Sequence, residues 1–315
     1  MKKKIKIILV LFLFLLATGC TKTLKDDDKK VVTNPDTGQS LTSNILCQPS
    51  EEKLYKLYEE HDEELQVQLN DLPKCREFTP GKLKYQSLWE TIFVKPLAFV
   101  ILKLGYLFRD MGLSVMVMGL LIRLLLFPLQ IKTIKQSQQM QKLQPEINRI
   151  EKKYKDKTDQ ESMMMKSQET MALYKKYNIN PVGGCLSAFI QLPIFFAFLE
   201  AINRVPAIFE GTFLKTSWNL GMTPGTGIGQ GHYTYIILIV LIIGTTYFSF
   251  KNTMNQTNQN PEMAKQMKMM TTFMIIMIGV MSINLPTAIA LYWVVTNGFA
   301  VFQGIIVKKM VGKKD

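Results

Sequence analysis

The sequence predicts an all-α, polytopic membrane protein with five transmembrane helices, an outer interfacial helix and a cytoplasmic helical hairpin. Three observations carry this. Hydrophobic residues make up 47% of the 315 and fall in long blocks instead of periodic mixtures. The net charge of +13 gathers between some of those blocks and not others, as the cytoplasmic loops of a membrane protein require. A lysine-rich head and a short apolar run open the chain, in the manner of a secretory signal.

Met1 to Lys6 carry four lysines, and Ile7–Leu16 follow without a charge. That core is too short for a comfortable span. Its ending, Leu16-Ala17-Thr18-Gly19-Cys20, resembles a bacterial lipobox. Small residues there let a peptidase close on the backbone, so 1–19 is expected to be removed and the Cys20 thiol to carry lipid (palmitate among its chains). Each buried lipid CH₂ contributes about 0.8 kcal/mol, so a multiply acylated Cys20 would hold the mature N-terminus on the outer face. The competing reading is an uncleaved anchor helix with an incidental cysteine.

Residues 20–87 are expected to form an extracytoplasmic, lipid-anchored tether and helical segment. The Asp26-Asp27-Asp28-Lys29-Lys30 run reads as solvated. Ser50, Glu51 and Glu52 look like a helix start, with carboxylates at the positive end of the dipole. Leu54, Tyr58, His61, Leu65 and Leu72 then form one apolar stripe. Cys47 and Cys75 flank it in a compartment where disulfides persist. A straight helix over 51–70 would be about 30 Å long, whereas bridged Cα atoms sit about 5.5 Å apart. A bridge therefore demands a helix broken near His61-Asp62, and the sequence leaves the matter open.

The insertion of Glu90, Lys95, Pro96 and Lys103 into an apolar stretch makes 88–110 an interfacial helix lying on the outer surface. Five spans follow: 111–131, 183–203, 233–250, 269–285 and 287–307. Most provide about 26–31 Å of helix, the hydrocarbon thickness. Asn284-Leu285-Pro286 is the turn between the last two. Direction follows from charge: the hairpin segment 132–180 holds eleven Lys or Arg, while 204–232 holds only Arg204 and Lys215. The basic segments, with the short basic tail 311–315, are then cytoplasmic. Two arguments, signal and loop charge, agree on the orientation. The hairpin's charge suits lipid headgroups or ribosomal RNA, or simply solvent.

Several chemistries find no support. Two histidines and four cysteines in no CxxC or HxxxH spacing make a metal site improbable. No GxxxxGK[ST] stretch is present, and the glycine-rich 221–231 reads as a loop.

Arg123 is the residue of most consequence. It stands between Leu120-Leu121-Ile122 and Leu124-Leu125-Leu126. An arginine near a bilayer centre costs about 2.5–3.5 kcal/mol even on the lenient insertion scale. No span carries an interior Asp or Glu; Glu200 lies toward the outer end of its own. A proton relay or coupled transporter would supply such a carboxylate. The sequence instead suggests a wet cavity, with countercharge from water, lipid phosphate or a visitor, against the alternative of snorkelling to the inner surface. Ser187 and Gln191 share a face of the second span, and Trp293, Asn297 and Gln303 recur along the fifth. They could line the same cavity or serve only helix packing. Met263, Met267, Met270, Met274, Met277 and Met281 form a stripe suited to varied apolar guests or to ordinary packing.

Three motifs resemble a known family. Leu121-Ile122-Arg123-Leu124-Leu125-Leu126-Phe127-Pro128-Leu129, continuing through Gln138-Gln139-Met140 to Leu143-Gln144-Pro145-Glu146, resembles the first core span and hairpin start of the YidC/Oxa/Alb insertases. Asn180-Pro181-Val182-Gly183-Gly184-Cys185-Leu186 with Gln191-Leu192-Pro193-Ile194-Phe195-Phe196-Ala197 resembles their second span, and Leu291-Tyr292-Trp293-Val294-Val295-Thr296-Asn297 their last. The resemblance covers 88–310, and the lipobox and five spans are similar to Gram-positive, lipoprotein-type members. It implies a hydrophilic groove closed to the outside and open to cytoplasm and lipid. Within it Arg123 corresponds to the groove arginine, Gln191 to the second-span polar residue and Trp293 to the last-span aromatic. Residues 21–87 lie outside the shared core.

The expectation is thus a membrane protein insertase and chaperone, acting alone or with the Sec translocon, without enzymatic chemistry or cofactor. Its groove residues are Arg123, Gln191, Trp293, Asn297 and Ser187. Expected partners are nascent membrane proteins and the lipid bilayer, with the Sec translocon and the ribosome as further candidates and no DNA. A small-solute channel or transporter is the alternative, and a lipoprotein scaffold a third.

Overall fold

A computed structural model describes residues 21–83, 86–155, 157, 159–177, 179, 183–254 and 261–312. The signal sequence and Cys20 lie outside the described residues. The architecture is all-helical, joined only by isolated β-bridges among the described residues. Two compact units share the chain: Met1–Leu121, Gln191–Ile242 and Gly279–Thr296 in the first; Ile122–Ile190, Ile243–Ile278 and Asn297–Asp315 in the second.

The first unit begins with a folded strap. Antiparallel bridges pair Thr23 with Thr42, Lys25 with Val31 and Thr33 with Ser40. The Asp26–Lys30 run is the exposed turn of this ribbon, closed by Lys30 N–H donating to Asp26 Oδ1 at 2.8 Å. Its flanks are not a solvated tether, because Leu24, Val32 and Leu41 pack with Leu54, Tyr58, Leu65, Leu69 and Leu72 in one core. High charge between those few apolar positions hid them from a compositional reading.

The apolar stripe does not ride on one helix. α1 (Glu52–Glu59) stops early, and 3₁₀ turns follow at Asp62–Glu64, Leu69–Asp71 and Cys75–Glu77. The His61 Nδ1 lies 2.9 Å from the Leu57 carbonyl, one of those left without a helical partner at the break. The chain thus reverses, and Cys47 and Cys75 are joined by a disulfide with Cα atoms 4.8 Å apart.

A π-helical turn, Glu90–Val94, leads into α2 (Lys95–Phe108), which ends on Arg109 in the left-handed region. α3 (Met111–Leu125) follows and is capped by Asp110: Leu113 N–H donates to Asp110 Oδ1 at 2.7 Å. The other carboxylate oxygen accepts from Leu214 N–H at 2.5 Å, tying down the loop 204–223. α7 (Gly183–Asn203) contributes its part from Gln191 onward to this unit. In the glycine-rich stretch expected to be a loop, Thr223 accepts from Thr226 N–H and starts a short helix, α8 (Pro224–Gly229).

In the second unit α3 breaks at Leu126, and α4 (Phe127–Lys142) begins beside Pro128, which has no N–H to offer the Leu124 carbonyl. α5 (Gln144–Lys153) and α6 (Gln160–Lys176) form the hairpin, with Leu143, Ile147, Leu173 and Ile179 as its core. Asp159 caps α6 through Ser162 N–H at 2.8 Å. Glu169 ties the arms, meeting Lys153 at 2.5 Å and the Tyr154 hydroxyl at 3.0 Å. α9 (Tyr235–Met254), α10 (Pro261–Ser282) and α11 (Thr287–Gly312) complete the fold, with 283–286 turning the chain between the last two.

By length and composition, Glu90–Phe108 and Thr287–Val307 can cross a membrane, and Met111–Leu125 with Phe127–Met140 can form one broken span. Among the described residues Pro193–Asn203, Tyr235–Lys251 and Lys268–Ser282 are shorter apolar stretches. Glu90–Phe108 is long and apolar enough itself to cross, and its charges at Glu90 and Lys95 are buried as an ion pair.

Candidate functional site

Arg123 occupies the last turn of α3, and its surroundings divide by chemistry. Ile122 is buried, whereas Leu121, Leu124 and Leu125 are exposed apolar side chains; such a surface is tolerable in lipid and costly in water. The Arg123 side chain is half-buried. Around it the backbone ladder continues unevenly, with Leu126 N–H donating to the Ile122 carbonyl and Gln130 N–H to that of Leu126, both at 3.1 Å. The Arg123 carbonyl accepts from Gln303 Nε2 on α11 at 3.4 Å. Asn297, half-buried on the same helix, belongs to this unit too.

Gln191 and Trp293 belong to the first unit. Both are half-buried. Phe195, one turn beyond Gln191 and on its face of α7, meets the Trp293 ring edge-on at 5.8 Å and the Tyr292 ring at 6.4 Å. Phe198 packs on Tyr292 at 4.4 Å. Such pairs stabilise by about 0.5–1.5 kcal/mol beyond area burial, so this aromatic group fixes α7 against α11. Gly119 lets α3 join them: a Cβ there would come within 2.8 Å of the Tyr292 ring. Of the expected groove residues, then, Trp293 is joined through Phe195 to the face carrying Gln191, while Arg123 and Asn297 stand in the other unit. The Ser187 side chain lies outside the described residues.

A second polar centre escaped the sequence reading. Arg204, which counted there only as a loop charge, is 2% exposed at the end of α7. Its guanidinium meets Glu200 Oε1 at 3.0 Å and Glu90 Oε2 at 3.2 Å, and its Nε donates to the Asn44 carbonyl at 2.6 Å. Glu200 Oε2 accepts from Trp89 Nε1 at 2.9 Å, and Lys95 Nζ meets Glu90 Oε1 at 3.1 Å. Two carboxylates balance two cations, which is the condition under which buried charge is tolerated. The signal was available: Glu200 and Arg204 stand at i,i+4, and Glu90 and Lys95 interrupt an apolar run with both signs.

The strap completes this end of α7. The Asn203 carbonyl accepts from Thr42 Oγ1 at 3.1 Å and the Arg204 carbonyl from Leu46 N–H at 2.8 Å. These are carbonyls that a helix C-terminus leaves orphaned. Further contacts run from Thr223 N–H to the Thr37 carbonyl at 2.9 Å, and from Ser50 and Glu51 N–H to Glu210 Oε1 at 2.7 and 3.2 Å. Burial pushes the Glu210 carboxyl above its usual range, against the lowering effect of those two donors. Among the described residues no cluster of three His, Cys, Asp or Glu side chains could hold a metal. What the arrangement offers is a charged side chain in an apolar helix and a locked polar seam elsewhere.

Comparison with known proteins bears on both. The family model described as 60Kd inner membrane protein matches residues 103–314. The chain is 40% identical over 230 residues to a membrane protein insertase YidC of Oceanobacillus iheyensis, covering 72% of this chain and 87% of that one. It is 41% identical over 227 residues to membrane protein insertase YidC 2 of Bacillus anthracis, covering 71% and 83%. With membrane protein insertase MisCA of Bacillus subtilis it shares 39% over 228 residues, covering 72% and 82%.

Proposed function

The chain belongs to the 60Kd inner membrane protein family, the YidC/Oxa/Alb insertases, and from this we propose that it inserts integral membrane proteins into the bilayer and assists their folding. The observation that carries the mechanism is Arg123, a permanent cation within an apolar helix of the family-matched region. A client hairpin enters from the cytoplasm, and Arg123 transiently attracts acidic residues in its translocating segment. Gln191, Ser187, Trp293 and Asn297 line the hydrophilic groove and shorten the polar path across the membrane. Burial of the client's apolar span then drives release. At about 25 cal/mol per Å² of apolar surface, a single span supplies the free energy without a nucleotide.

The same reading places five spans across the membrane, with 88–110 at the outer interface and the basic 132–180 hairpin in the cytoplasm. Loop charge supports it. Cys20 carries the lipid anchor and 1–19 is the cleaved signal, on the strength of the Leu16–Cys20 pattern. Cooperation with the Sec translocon and contact of the hairpin with the ribosome belong to this reading as well.

The test is photo-crosslinking from the groove. A reactive side chain at position 191 or 293 should capture a ribosome-stalled membrane protein during insertion, and one in place of Phe273, an exposed apolar side chain of α10, should not. Equal capture from all three positions would remove the groove from the account.

A further inference from the structure

Gln303 is buried on α11, 3% exposed, in a helix that is otherwise apolar for most of its length. A carbonyl can only accept, so its contact with the Arg123 carbonyl at 3.4 Å must present the amide nitrogen. That choice fixes the other end of the amide. Gln303 Oε1 is buried and has no hydrogen-bond partner among the described residues. Gly304 beside it is buried too. Proteins seldom leave such an acceptor idle, and an idle one marks either function or a bound water.

The place it reaches is also significant. Arg123 lies five residues before Pro128, where α3 gives way to α4. At a proline break the helix loses a donor, and at membrane depth the freed backbone must be satisfied from a neighbouring helix. Pro128 frees the Leu124 carbonyl, and one residue before it, on the residue whose charge is used, a glutamine 180 residues away in sequence donates to the Arg123 carbonyl.

We propose that Gln303 is a positioning residue for Arg123: its amide N–H pins the backbone turn that aims the guanidinium, and its carbonyl oxygen holds water beside it. This rests on the Arg123 mechanism given above. Gln303→Leu removes both functions. Gln303→Asn keeps the amide but falls one methylene short of the Arg123 carbonyl, so it serves if the leucine variant fails to accumulate.

Purified full-length protein in vesicles is compared as wild type, Gln303→Leu, Gln303→Asn, Arg123→Ala and the Arg123→Ala/Gln303→Leu pair. The readout is insertion of two clients that differ only in whether their translocating segment is acidic or neutralised. The expected result is a roughly five- to tenfold loss for the acidic client in either Gln303 variant, little change for the neutral one, and no further loss when Arg123 is already alanine; effects through one unit do not add. Equal loss for both clients, full activity of Gln303→Asn, or additivity with Arg123→Ala would overturn the assignment. If Arg123→Ala itself treats the two clients alike, the fault lies in the Arg123 mechanism, and Gln303 has nothing to position.

Discussion

Arg204 and Arg123 both stand at the ends of apolar helices, but the chain treats them differently. Arg204 is 2% exposed, set between Glu90 and Glu200 and anchored on the Asn44 carbonyl. Arg123 keeps a half-buried side chain in a helix whose sequence contains no acidic residue. The first arrangement consumes the charge within the protein and converts it into rigidity. The second sets a permanent cation in an apolar helix, the place where the proposed mechanism has an acidic client segment meet it. The same residue type therefore builds the seam in one region, and in the other is the residue to which the proposed function assigns the client.

If that contrast is right, damage to the two regions must have different signatures. The largest stability effect is expected from Arg204→Met, which leaves Glu90 and Glu200 buried without their shared partner. Removing one side of a buried pair costs about 3–5 kcal/mol, so detergent-solubilised protein should melt earlier and insertion should fall for every client alike. Selective loss of acidic clients from this variant would erase the distinction.

The disulfide comes next. With Cys47 and Cys75 separated by 28 positions in sequence, loop closure in the unfolded chain is worth about 3–4 kcal/mol. Replacing both cysteines by serine should open the strap to protease while leaving α9–α11 resistant. Thr42→Val is milder. It deprives the Asn203 carbonyl of its donor, at about 1 kcal/mol, and a shift in the melting temperature of a degree or more should report it.

The smallest effect concerns pH. Because burial raises the folded-state pKa of Glu210, the folded strap binds that proton more tightly than the unfolded chain does. Its contribution is greatest when the carboxyl is protonated and declines as pH rises from the ordinary value of 4.5 through the raised one. Glu210→Gln should flatten that decline in a pH series of melting curves.

The apolar helices of the family-matched half were legible because hydrocarbon imposes a simple rule on sequence: long apolar blocks, broken at turns such as Asn284–Pro286. Arg123 stood out for the same reason. The strap was harder to read. Its core is assembled from single residues such as Leu24, Val32 and Leu41, separated by charged turns and paired by isolated bridges, so no periodicity announces it. The stripe through Leu54, Tyr58 and Leu65 correctly marked a buried face but suggested too long a helix, because one face can be continued by 3₁₀ turns after the chain bends. Glu90 and Lys95 read as single interruptions of an apolar run, and nothing local said that they pair with each other. Partners distant in sequence, Glu90 with Arg204 or Arg123 with Gln303, were beyond any local pattern.

The most direct test of the Arg123 mechanism is a charge exchange between protein and client, measured as insertion into vesicles at matched protein levels. Arg123→Ala should lose most insertion of a client with an acidic translocating segment, and Arg123→Lys should keep much of it, since a point charge suffices for field attraction. Neutralising the client's acids should lessen its dependence on position 123. Equal insertion by wild type and Arg123→Ala across acidic clients would contradict the mechanism.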